Sequence, residues 1–147
     1  MSADPRVGAR RDAGDEPSPS IAPVGERWAV IVGVSRYADP GLNLKYAHRD
    51  AEQLYELVQT PEGGHFPASN IRYLVDEQAT TSAVTRALRG FLLEAEPDSL
   101  VLLFLACHGG PDPRRPSGPL YLFTHDTDPK DVAGTALAMD EIDRSLR

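Results

Sequence analysis

Apolar residues fall into two rhythms along this chain, and the alternation between them sketches a fold. Trp28-Ala29-Val30-Ile31-Val32-Gly33-Val34 is an unbroken apolar run rich in β-branched residues, too short for most helices. A strand buried on both faces is written this way. From Asn43 to Gln59 the pattern changes: Leu44, Ala47, Ala51, Leu54, Leu57 and Val58 recur at helical spacing. Gly63-Gly64 and Pro67 break the chain, and Ile71, Tyr73, Leu74 and Val75 predict a second short strand. Thr80 or Thr81 is placed to cap a second helix, whose stripe is Val84, Ala87, Leu88, Phe91 and Leu92. Pro97-Asp98 closes that unit. Leu100 to Ala106 is the most hydrophobic run and is expected to be a central strand. A Gly/Pro/Arg loop from Gly109 to Gly118, a strand at Leu120–Phe123 and a helix starting at Met139 follow. No internal repeat is visible. Strand–helix–strand–helix–strand with doubly buried strands implies an α/β fold, a parallel sheet with helices on both sides.

Residues 1–25 follow neither rhythm. They mix Pro5, Pro17, Pro19 and Pro23 with Gly8, Gly14 and Gly25 and hold almost no large apolar side chain. Such a segment buries too little to offset its ordering entropy, so a disordered linker is expected there and a folded domain over 26–147.

Composition narrows the function. The 147 residues suit one domain. Fifteen Lys and Arg against 22 Asp and Glu give a net charge of −7, which argues against a nucleic-acid surface and against docking on anionic lipid. One cysteine excludes an internal disulfide framework, and no Cys/His spacing resembles a structural zinc site. No apolar run is long enough to span a bilayer, and Met1–Ala22 has no secretory core, so a cytoplasmic location is expected.

Ligands of open parallel sheets bind beyond the carboxyl ends of the strands. The Leu100–Ala106 run leads there into Cys107-His108-Gly109-Gly110. Imidazole suits proton transfer near neutral pH, and glycine amides can stabilise a developing oxyanion. An exposed histidine before an ordinary glycine turn is the alternative. A Cys107–His108 dyad is disfavoured because successive strand residues point to opposite faces, which leaves Cys107 as a small core residue. A phosphate-receiving signalling domain of similar architecture fails on residues. Its acidic pair is missing after the first strand, and Cys-His stands where its acceptor aspartate belongs.

Five segments in register then carry a family resemblance. They are Trp28–Tyr37, Leu44-Lys45-Tyr46-Ala47-His48-Arg49-Asp50-Ala51, Phe66–Leu74 with Asp76–Thr80, the strand ending in His108-Gly109, and Leu120–Asp128 with Thr135–Leu137 and Asp140-Glu141. Together they resemble the amino-terminal, p20-like part of a caspase-like cysteine peptidase domain (peptidase C14), nearest the bacterial metacaspases. The resemblance implies a three-layer α/β/α sandwich with a mostly parallel central sheet, incomplete at the C-terminus. It implies cysteine-type endopeptidase activity, with His108 as general base and acid and the Gly109 amide in the oxyanion hole. Asp50 falls where metacaspases place a carboxylate in the pocket for a basic P1 side chain, which makes Arg or Lys the expected substrate residue. A surface carboxylate answering Lys45 or Arg49 is the other reading of Asp50.

Departures from the family pattern matter. Ala106-Cys107 stands where the family usually has a small polar pair. Some metacaspases are activated by calcium through acidic loops, but Asp126, Asp128, Asp131 and Asp140 lack the spacing of a calcium loop, and no cofactor or metal ligand set is assigned. His48, His65 and His125 have no evident partner and are expected at the surface. In caspases the nucleophilic cysteine lies about 50 residues after the histidine. Here no cysteine follows His108 up to Arg147, so the nucleophile is expected beyond that residue and this chain alone is expected to be inactive. The alternative is a non-catalytic caspase-homology module that binds a protein partner, or itself, through an open sheet edge.

Overall fold

The computed structural model describes residues 24–147. The expected tail, 1–25, lies outside the described residues except for Val24 and Gly25, and Gly25 already donates its amide to the Asp98 carbonyl at 3.0 Å.

Three strands, β1 (Arg27–Gly33), β2 (Ile71–Val75) and β3 (Leu100–Ala106), form a parallel sheet in the order β2-β1-β3. Helix α1 (Ala47–Gln59) joins β1 to β2, and α2 (Thr81–Arg89) joins β2 to β3. The pleat of β1 sorts its side chains between two cores. Ala29 and Ile31 pack with Ala51 and Val58 of α1, while Trp28, Val30 and Val32 pack with Val84, Ala87 and Leu88 of α2. Ile142, on α4 (Met139–Ser145), closes the second core. The α/β reading therefore holds, with helices on both faces of the sheet.

Local chemistry sets the element ends. The Thr80 hydroxyl accepts from Ala83 N and caps α2 as expected. α2 stops at Gly90, earlier than its apolar stripe predicted, and Phe91–Glu94 form a separate 3-10 turn. Gly33 lets α1 approach β1, since a Cβ there would lie 2.5 Å from the Ala47 carbonyl oxygen.

Two sequence expectations need correction. Among the described residues the Leu100–Ala106 strand is not central: β1 holds that place and β3 is an edge, half-buried or exposed along its length. Residues 109–111, expected in a loop, form strand β4 (Gly109–Pro111). Strand β5 (Leu120–Leu122) lies outside the parallel sheet and pairs antiparallel with β4 and with β6 (Leu137–Ala138). The short helix α3 (Val132–Thr135) before β6 carries too little periodicity to read from sequence. No described helix is long and apolar enough to cross a membrane.

Candidate active site

Strands β1, β2 and β3 all end at one rim, and each end contributes to a single polar assembly. Beyond β3, the His108 amide donates to the Tyr37 hydroxyl at 2.9 Å, and the His108 carbonyl accepts from Phe123 N at 2.8 Å. The imidazole lies against the Tyr37 ring (5.5 Å between centroids) and faces Phe123 (6.4 Å). Its Nε2 sits 2.8 Å from the Leu42 carbonyl oxygen. A carbonyl can only accept, so the neutral ring keeps its proton on Nε2 and leaves the Nδ1 lone pair available as a base.

The loop after β1 supplies both of these contacts, and Asp76 pins that loop. Asp76 directly follows β2 with a positive φ of 48°, a conformation unusual for a residue with a Cβ. Its Oδ1 accepts from the amides of Ser35 and Arg36, each at 2.8 Å, and its Oδ2 lies 3.3 Å from Arg36 Nε. Burial works to raise its pKa, but the hydrogen bonds from Arg36 and Ser35 and the Arg36 charge outweigh it and hold the carboxyl below its ordinary value. Asn43 Oδ1 accepts from Tyr37 N at 2.9 Å and fixes the far side of the loop. Burial, only partly offset by the bond from His108, pushes the Tyr37 hydroxyl up to about 12, so it stays a neutral acceptor.

Gly109 follows directly. Because Phe123 N bonds the His108 carbonyl, Gly109 and Leu122 form a non-bonded pair of the β4–β5 ladder. The Gly109 N–H consequently faces away from β5. Cys107 packs with the α2-side core, and burial raises its thiol to about 11. That thiol is protonated at neutral pH, in keeping with a core role.

Asp50 lies in the first turn of α1, whose start packs on Gly33 at this same rim. Its carboxylate is exposed, and among the described residues it makes no ion pair with Lys45 or Arg49. The surface expectation holds for His65 but not for the other two histidines. His48 is half-buried with Nδ1 2.8 Å from Ser35 Oγ, and His125 Nδ1 is 2.7 Å from the Arg36 carbonyl. The four acidic residues do not converge. Asp126 accepts from Thr81 N, Asp128 from Lys130 N and Asp131 from Arg114. Among the described residues no group of three or more His, Cys, Asp or Glu could hold a metal ion.

Sequence reasoning missed Tyr37, Asn43 and the Leu42 carbonyl as parts of the site. A carboxylate directly after the β2 run, at the ligand-binding rim, was the available signal for Asp76.

Comparisons with known proteins bear on the family and the fold. Residues 26–147 match the caspase domain family. No curated protein matches the sequence. Among solved structures, the chain is similar to protein GSU0716 from Geobacter sulfurreducens, at 21% identity and a TM-score of 0.63, over 83% of this chain and 45% of that one. The likeness shows the fold, and the chain spans less than half the length of that protein.

Proposed function

Because this chain belongs to the caspase domain family, we propose that its sheet rim is the base-bearing half of a cysteine endopeptidase site. One observation supports this above the others: the Leu42 carbonyl holds Nε2 of His108 and leaves Nδ1 free to take a proton. In this reading His108 Nδ1 accepts the proton of a cysteine thiol, and the thiolate sulfur bonds to the peptide carbonyl carbon. The oxyanion that forms accepts from the Gly109 amide. His108 then protonates the departing amine, leaving an acyl-enzyme, and takes a proton from the water that releases the acid. Asp50 receives a basic P1 side chain. The nucleophile is not Cys107. It comes from a strand laid along the free edge of β3, either later in the same gene product or in a partner chain, as in the metacaspases that the sequence resembles.

The test is cleavage of a fluorogenic peptide with Arg at P1 by the full gene product, purified with any partner chain. His108→Ala is expected to abolish turnover, and Asp50→Asn to weaken preference for Arg over a neutral P1 residue. Unchanged turnover in His108→Ala removes the base from the mechanism. A non-catalytic docking module is the second reading, favoured by the exposed β3 edge alone. It gains if the full product binds a partner through β3 and cleaves nothing.

A further inference from the structure

On the α2 side of the sheet, three arginines converge on one groove in an otherwise acidic protein. Arg72 of β2 pairs in register with Val30, and Val30 with Leu103. From Leu103 the chain travels roughly 16 Å at strand rise to reach His108. The groove, about 610 Å³ in volume, lies between β2 and the corner after α2, with Arg72, Arg86, Arg89, Thr85 and Glu94 in its wall.

Each guanidinium is held in place by one neighbour. Arg72 lies on the face of Phe91 at 3.9 Å, and Trp28 meets the same ring edge-on at 5.0 Å. Arg86 donates to Ser82 Oγ at 3.0 Å, and Arg89 to Glu141 Oε2 at 2.8 Å. Pre-positioned guanidinium forks with unused N–H groups suit carboxylate recognition, because little side-chain entropy is left to lose. Arg86 and Arg89 also offset the carbonyl end of α2, but Arg72 sits on a strand and owes nothing to that dipole. Past Arg89 the surface continues into a second hollow beside Arg144 and Leu93, and Leu93 is 75% exposed. Arg89 pairs with Glu141 and Arg147 with Asp143, so Arg72, Arg86 and Arg144, three of the five arginines along the strip, keep donors without a carboxylate partner among the described residues.

We propose that this strip is an exosite for an acidic peptide segment of another protein, one with clustered Asp and Glu side chains and an apolar residue to cover Leu93. The open, elongated shape suits an extended chain better than a small enclosed ligand. The site works by binding alone and stands whether or not the rim at His108 cleaves peptides.

The test is fluorescence anisotropy of the 147-residue chain with a labelled Asp/Glu-rich peptide containing one Leu, at low and at 0.5 M salt. The controls are the same peptide with Asn and Gln for its acids, inorganic phosphate as competitor, and phosphatidylserine vesicles. Saturable binding that weakens with salt and falls about tenfold in each of Arg72→Gln and Arg86→Gln supports the exosite. Circular dichroism melts establish that both variants fold, and Arg86→Gln, which leaves the Phe91 stack intact, decides if Arg72→Gln does not. Absence of saturable binding, equal binding of the neutral peptide, unchanged affinity in Arg86→Gln, or binding to vesicles without binding to peptide overturns it.

Discussion

β1 and β3 lie side by side, are both seven residues long and are both apolar almost throughout, yet the structure treats them differently. β1 is sealed: a helix layer covers each face, strands flank both edges, and Ala29, Val30 and Ile31 have no exposed surface. β3 is paired on one edge only, and Leu100 and Val101 are exposed. The loops that follow differ as well. The chain after β1 is fastened by Asp76 and Asn43, whereas the chain after β3 carries the imidazole and is fastened by what the first loop offers it. The strand sealed in the core is therefore not the strand that leads into His108.

Three substitutions and one labelling reaction sharpen this contrast. Ile31→Ala has the largest expected effect, about 3 kcal/mol of lost stability, because it opens a cavity in a close-packed site. Val101→Ala, on the exposed part of β3, is expected to cost below about 1 kcal/mol. Urea midpoints measure both, and equal losses break the distinction between sealed and open strand.

Asp76→Asn comes next, at about 2 kcal/mol near neutral pH, since it weakens the acceptor of two backbone amides. The lowered pKa of Asp76 gives the sign of its pH dependence. Its contribution is complete above the ordinary carboxyl value of 3.8 and disappears as pH falls through the lower folded value. Urea midpoints of the wild type are thus expected to fall more steeply below pH 4 than those of Asp76→Asn. Parallel acid limbs contradict the clamp.

The smallest effect concerns Cys107. With its thiol raised to about 11, it ionises at roughly one part in a thousand at pH 8. Iodoacetamide is expected to modify it at least tenfold more slowly in the folded chain than in urea, as mass spectrometry would read. Rapid labelling of the folded chain would make it an activated nucleophile and reopen the dyad.

What the sequence made legible follows from what each signal reports. Periodicity reports burial of a face, so β1, α1 and α2 were readable, and the Thr80 cap was readable from its chemistry. Apolarity alone does not report which neighbour covers a strand, so β3 was placed at the centre when it stands at the edge. Gly109-Gly110-Pro111 has loop composition, yet its backbone pairs with Leu120–Leu122, and backbone pairing leaves no trace in side-chain type. The site divides the same way. His108 was visible as a strand-end imidazole and Gly109 as the residue beside it. The Leu42 carbonyl that selects the tautomer is main chain and has no residue signature. Tyr37, Asn43 and Asp76 act across sequence separations that only the fold closes.

The tautomer of His108 tests the central claim most directly. Long-range ¹H–¹⁵N correlation spectra of the labelled chain, recorded at alkaline pH, report which nitrogen carries the proton. The account predicts a single neutral form with the proton on Nε2 and a bare Nδ1, retained in His48→Gln and His125→Gln variants that serve to assign the signal. A ring protonated on Nδ1, or one averaging between the two forms as a free imidazole does, would contradict it.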